Sequence, residues 1–102
     1  MNGISPGSRG LYGITVAAEM AGVGEQTLRL YERRGLLTPL RTAGGTRRYS
    51  DDDVTVLIRV VELLAEGLNL AGVGRVLALE ASNRQLRAHL ARLIDADREP
   101  HN

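Results

Sequence analysis

A mainly α-helical chain with one small β-hairpin is the fold class this 102-residue sequence predicts. Three observations predict it. Apolar residues recur at helical spacing through most of the chain. Glycine stands where helical runs stop, at Gly22, Gly35 and Gly67. The stretch from Leu36 to Ser50 breaks the helical pattern with Pro39 and a Gly44-Gly45 pair set between short extended pieces.

The composition bounds what such a chain can be. Its length suits one small domain with a modest core. Hydrophobic residues make up 43% and aromatics only 3%, with no Trp or Phe, so the core must be aliphatic. There is no Cys, which excludes a disulfide framework, a thiolate metal site and a cysteine redox switch. His89 and His101 have no neighbouring ligands in sequence, so neither a metal nor a cofactor is expected. No apolar run reaches the length of a membrane span and no signal peptide is visible, so the cytoplasm is the expected compartment.

The net charge of +1 hides an asymmetry. Residues 1–49 carry seven arginines against three acids, and residues 50–102 carry six against nine. Positive charge therefore concentrates in the N-terminal half. Every basic residue is Arg, whose planar fork suits phosphate and guanine; a compositional bias of the source genome would produce the same choice.

Residues 1–10, MNGISPGSRG, read as a disordered tail in which Arg9 is either solvated or a basic arm. Thr15 is a candidate N-cap for a short helix over Val16–Ala21. Gly22 permits a sharp turn, and a second helix follows from Glu25 to about Arg34, with Gly35 just past its end. Val16, Ala17, Met20, Val23, Leu28 and Tyr31 are the expected seam between the two. Two short helices joined by a glycine-containing turn are the signature of a helix-turn-helix.

Between Leu36 and Ser50, the Gly44-Gly45 pair is expected to supply the positive φ angles of a tight hairpin. A hairpin directly after a helix-turn-helix makes a winged helix. Ser50 then caps a third helix whose first turn, Asp51-Asp52-Asp53, favours the positive end of the helix dipole. That role accounts for all three carboxylates without a metal. Val54, Leu57, Val61 and Leu64 are its expected inward face. Asn69 caps a fourth helix over Leu70–Ala81, with Val73, Val76 and Leu77 inward. Ser82 and Gln85 have capping-box spacing and are expected to open a fifth helix, 82–98. Leu86, Leu90, Leu93 and Ile94 form a narrow stripe on it. The stripe reads either as a coiled-coil seam for a homodimer or as a face folded back on its own domain. The implied organisation is a tail (1–10), a winged helix-turn-helix (11–81), a C-terminal dimerisation helix (82–98) and a second tail (99–102).

Function follows from where the charges fall. A helix-turn-helix sets its second helix in the major groove of DNA and anchors on phosphates. Here that helix offers Gln26, Thr27, Arg29 and Arg33, residue types that contact base edges and phosphate oxygens. The wing would bring Thr46, Arg47 and Arg48 to the backbone or the minor groove.

The run ITVAAEMAGVGEQTLRLYERRGLLTPLRTAGGTRRYSDDDV resembles the DNA-binding domain of the MerR family. TLRLYERRGLL for the second helix and GGTRRYSDDDV for the wing and next cap carry the likeness. EGLNLAGVGRVLALE resembles the heat-shock repressor branch, HspR, more than the metal or drug sensors. The resemblance spans residues 11 to about 82. It implies that Arg29 contacts DNA, that Tyr31 meets the phosphate backbone, and that Arg47, Arg48 and Tyr49 are wing contacts. Tyr49 reads equally as a hinge-packing residue. It further implies a homodimer joined through the C-terminal helix, inverted-repeat operators, repression, and the chaperone DnaK as corepressor. The sequence departs from the family at Leu30, where many members carry an aromatic, and at Gly24, where many carry a Ser or Thr cap.

The competing reading is a protein-binding module like the chaperone-modulator (CbpM-like) proteins, which bind a co-chaperone and have no need of an arginine wing. An enzyme is not expected: the sequence shows no nucleophile–base pair, no metal-ligand spacing and no P-loop.

Overall fold

The computed structural model describes residues 10–98. Most of the tail expected at residues 1–10, including Arg9, and the tail at 99–102 lie outside the described residues. Gly10 does not belong to a free tail, since its N–H donates to Asp51 Oδ2 at 2.9 Å.

The elements run β1 (Leu11–Tyr12), α1 (Ile14–Ala21), α2 (Glu25–Arg33), β2 (Leu40–Arg41), β3 (Arg47–Ser50), α3 (Asp51–Ala65) and α4 (Leu70–Arg98). Helices α1 and α2 form the expected helix-turn-helix, and β2 and β3 the expected hairpin. Strand β1 was not anticipated. It makes β3 the centre of a three-stranded antiparallel sheet, with Tyr12 opposite Tyr49 and Arg41 opposite Arg47.

That added strand moves the start of α1. Gly13 rather than Thr15 is the N-cap, without a side-chain cap bond, and Ala17 N–H donates to Gly13 O at 3.0 Å. Thr15 lies inside the helix and donates its hydroxyl to Glu25 Oε2 at 2.8 Å, tying α1 to the start of α2. The predicted seam is corrected too. Ala17, Ala18, Leu28 and Tyr31 are buried, whereas Val16 and Met20 are exposed. Two alanines side by side let α1 approach its neighbours closely, with Ile14 packed at the edge of the core and Val16 and Met20 turned outward.

Helix α2 ends at Arg33, one residue earlier than expected. Gly35 adopts φ +77°, Leu36 N–H donates to Tyr31 O, and Gly35 N–H donates to Glu32 O. This double closure needs a left-handed residue that only Gly supplies cheaply. Ser50 caps helix α3 as predicted. Ser50 Oγ accepts from Asp53 N–H at 3.1 Å, and Asp53 Oδ2 accepts from Ser50 N–H at 2.9 Å, a complete capping box. Val54, Leu57, Val60 and Leu63 are its buried residues; Val61 and Leu64 are only half-buried. The inward face rotates because α3 packs on α1 and β3 along its length and also on α4.

The expected break at Ser82 is absent. One helix of 29 residues runs from Leu70 to Arg98, opened by Asn69 as predicted, whose side chain accepts from Gly72 N–H at 2.8 Å. Capping-box spacing does not stop a helix unless a breaker accompanies it, and no Gly or Pro lies between Arg75 and Arg98. The predicted boundary survives as a change of environment. Val73 is buried and Val76 and Leu77 pack against the core, but from Ser82 onward every described residue is exposed. A straight helix of this length spans ~43 Å, consistent with the 59 Å long axis of the chain.

Candidate nucleic-acid interface

Helix α2 divides by face. Leu28 and Tyr31 point into the core. Gln26, Arg29 and Arg33, at three- and four-residue spacing, share the opposite surface, with Thr27 half-buried beside them. Arg29 Nη2 lies 3.8 Å from Glu25 Oε1, a loose exposed pair that leaves most of its donors open. No side chain caps α2 at Gly24, so its first N–H groups face outward from a dipole end that favours anions.

The wing lies beside this helix. Its tip closes through Gly45 N–H donating to Thr42 O at 2.8 Å and Thr42 N–H donating to Thr46 O at 2.9 Å. Gly45 takes φ +85°, whereas Gly44 stays outside the left-handed region, so one glycine rather than the pair meets the turn's demand. Arg41 Nη1 bonds Gly45 O at 3.1 Å and stiffens the tip from the side.

Strand alternation then splits the wing residues. Arg47 and Tyr49 share the side facing α2, and Arg48 lies on the other. Arg48 and Thr46, together with Gly45 and part of Arg47, line a cleft against Gly13, Ile14, Thr15 and Val16 at the start of α1. Arg48 Nη1 also donates to Arg47 O at 2.9 Å. Arg47 Nε donates to Glu32 Oε1 at 2.8 Å. The hydroxyl of Tyr49 donates to the other oxygen, Glu32 Oε2.

Tyr49 is the largest fully buried side chain, and Tyr31 is also buried. Of the two readings of Tyr49, core packing matches its place in the structure. Burial raises its hydroxyl pKa well above the ordinary phenol range, and the hydrogen bond to the Glu32 carboxylate adds to the effect. Tyr31 is shifted upward by burial alone. The guanidinium of Arg47 is held in its charged form chiefly by the Glu32 hydrogen bond.

Two acids in this region had no assigned partners at the sequence level. Glu32 joins α2 to the wing across 15 residues of sequence. Asp51 accepts from Tyr12 Oη at 2.6 Å and from Gly10 N–H, tying β1 to the start of α3. Only the acid within YERRG and the pair of alternating wing residues hinted at the first, and neither shows contact without the fold.

The remaining predicted set lies apart. Leu86, Leu90, Leu93 and Ile94 are 66%, 56%, 54% and 42% exposed, so the stripe does not fold back on its own domain. Leu79, 67% exposed, extends it by one heptad.

Comparison with known proteins places these elements. The chain is 47% identical over 87 residues to a Streptomyces coelicolor protein described as heat shock protein HspR, covering 84% of this chain and 58% of that one. It is 45% identical over 67 residues to the transcriptional repressor CarH of Myxococcus xanthus, covering 65% of this chain and 22% of CarH. The chain thus spans under two thirds of either relative. Among solved structures it resembles HiNmlR, a MerR family regulator lacking the sensor domain and bound to promoter DNA. That match has a TM-score of 0.61 and 25% identity, over 85% of this chain and 78% of that one. Nothing in these matches supports a co-chaperone-binding module. The model of the MerR HTH family of regulatory proteins matches residues 12–80, and the chain belongs to that family.

Proposed function

We propose that this protein binds double-stranded DNA and acts as a dimeric transcriptional repressor of the HspR type. The observation that carries the reading is the open face of Gln26, Arg29 and Arg33 on α2, set beside an arginine-bearing wing joined to the same helix. Helix α2 enters the major groove, where Gln26 and Arg29 have the chemistry to read adenine and guanine edges. Thr27, Arg33 and the uncapped start of α2 hold phosphates. Thr46, Arg47 and Arg48 bring the wing to the backbone or the adjoining minor groove. Tyr31 and Tyr49 support this surface from beneath.

Helix α4 supplies the second copy. Leu86, Leu90, Leu93 and Ile94 make an exposed seam that a partner's matching seam would bury, and two joined copies require an operator with inverted half-sites. Repression follows the description of CarH as a transcriptional repressor and the resemblance to the HspR branch, and a chaperone corepressor of the DnaK type follows the HspR likeness alone.

Selection from a random duplex pool at near-physiological salt tests the reading. It predicts enrichment of an inverted repeat. Failure to enrich any sequence, both alone and with DnaK added, would refute it.

A further inference from the structure

The acid at position 32 is out of place on a DNA-facing helix. A carboxylate near phosphates is electrostatically unfavourable. Glu32 is nonetheless almost enclosed, with its side chain 9% exposed, and both of its oxygens are engaged from the wing. Oε1 takes Arg47 Nε at 2.8 Å, and Oε2 takes the Tyr49 hydroxyl. Arg47 keeps its side chain 29% exposed, so part of its guanidinium reaches the surface. Only the Nε is bonded to Glu32, and among the described residues the Nη groups have no hydrogen-bond partner. Tyr49 in turn is fixed by complete burial. The carboxylate is thus clamped between a core residue and a surface residue two positions apart on β3.

We propose, resting on the DNA-binding reading above, that Glu32 is a positioning residue for DNA recognition. Its carboxylate holds the wing at a set angle to α2 and aims the free end of Arg47 at the phosphate backbone. A buried ion pair contributes little net stability but imposes geometry, because its bonds form in one arrangement only. Recognition of a specific site requires α2 and the wing to engage DNA together. Loose electrostatic binding does not. Glu32 therefore serves the specific complex while opposing the non-specific one.

The two roles have opposite signs, and this makes the proposal testable on the full chain. Affinity is measured for wild type, Glu32→Ala and Glu32→Gln, using the duplex recovered by selection and a random-sequence duplex of the same length. Removing a negative charge should leave random-sequence affinity unchanged or raise it. Affinity for the selected duplex should fall about tenfold or more in Glu32→Ala, the scale of a lost charge-assisted hydrogen bond. Glu32→Gln keeps an acceptor for Tyr49 but not the charge beside Arg47, and should fall between. A DNA-free readout accompanies these: the Arg47 Nε–Hε resonance should be protected from solvent exchange in wild type and released in Glu32→Ala.

Glu32→Ala binding the selected duplex as tightly as wild type, or more tightly, with helical content intact and Arg47 Hε released, would overturn the positioning role alone. A freely exchanging Arg47 Hε in wild type would overturn it at the level of geometry. If Glu32→Ala fails to fold, Glu32→Gln carries the comparison, and equal affinities for wild type and Glu32→Gln would overturn the role. Wild type selecting no duplex would overturn DNA binding and this inference with it, a result separable from the others.

Discussion

Arg47 Nε donates to Glu32 Oε1 at 2.8 Å, so the wing and the second helix of the helix-turn-helix meet at one carboxylate. The two elements that carry the candidate DNA contacts are therefore tied together through Glu32. Gln26, Arg29 and Arg33 lie on the helix and Arg47 and Arg48 on the wing.

Replacing Arg47 by Ala removes a cation and leaves Glu32 uncompensated. Affinity for any duplex should fall, and the slope of log affinity against log salt should flatten by about one. Arg29→Ala should behave differently, with a loss of about 1–3 kcal/mol concentrated at one base position. Binding titrations over a salt series, repeated on single-base operator variants, check both. A uniform loss for Arg29→Ala would make it a phosphate contact instead.

Ser50 ends the wing and starts α3, and it is itself nearly buried. Ser50→Ala deletes the acceptor for Asp53 N–H and should destabilise the fold by about 0.5–2 kcal/mol. Urea denaturation followed by circular dichroism reads this directly. Ser50→Asp, which restores an acceptor, should recover part of the loss.

The direction of α4 is set partly by Arg59, which holds Glu80 through Nη2 at 2.7 Å and reaches Glu62 through Nη1 at 3.2 Å. The hydrogen bond from Arg59 lowers the pKa of Glu80 below the ordinary carboxylate value. A depressed folded-state pKa contributes stability that is present above the unfolded value of about 4.3 and is lost as pH falls through the lowered one. Wild type should therefore lose stability relative to Glu80→Gln as pH drops below about 4, and the difference between them should be constant near neutrality. Melting temperatures across pH 2–7 check the sign. A gap that widens on acidification would contradict it.

Leu90 sits mid-way along the exposed stripe of α4. If that stripe is the seam of a homodimer, wild type should sediment at twice the 11.0 kDa of one chain. Leu90→Glu should sediment as a monomer with the same helical content. Operator affinity should fall with the loss of the second half-site contact, while the half-site sequence preference stays the same.

Local chemistry made much of this fold legible. Gly35, Ser50 and Asn69 act through bonds to residues within five positions, and each was readable as punctuation. Features decided by distant partners were not. Strand β1 exists because Leu11 and Tyr12 pair with residues 37 or more positions later, in β3. Thr15 yielded the N-cap to Gly13 because that strand fixes where α1 begins. Ala17, Leu28 and Tyr31 entered the core as the apolar period expects, whereas Val16 and Met20 fit the same period but stay exposed, and Ala18, absent from the expected seam, is buried in their stead. The capping-box spacing at Ser82 was a local signal without a breaker, and the helix ran through it. In the candidate site, the exposed face of α2 followed from periodicity. The Glu32 clamp did not, because it joins residues that only the folded wing brings together.

Helix α2 and the wing are expected to meet DNA as one surface. Titration of the isotopically labelled chain with the selected duplex, followed by nuclear magnetic resonance, tests it most directly. Perturbations are predicted at Gln26, Arg29, Arg33 and Thr46–Arg48 together, at the same DNA concentrations. Perturbations confined to α4, with α2 and the wing unmoved, would contradict it.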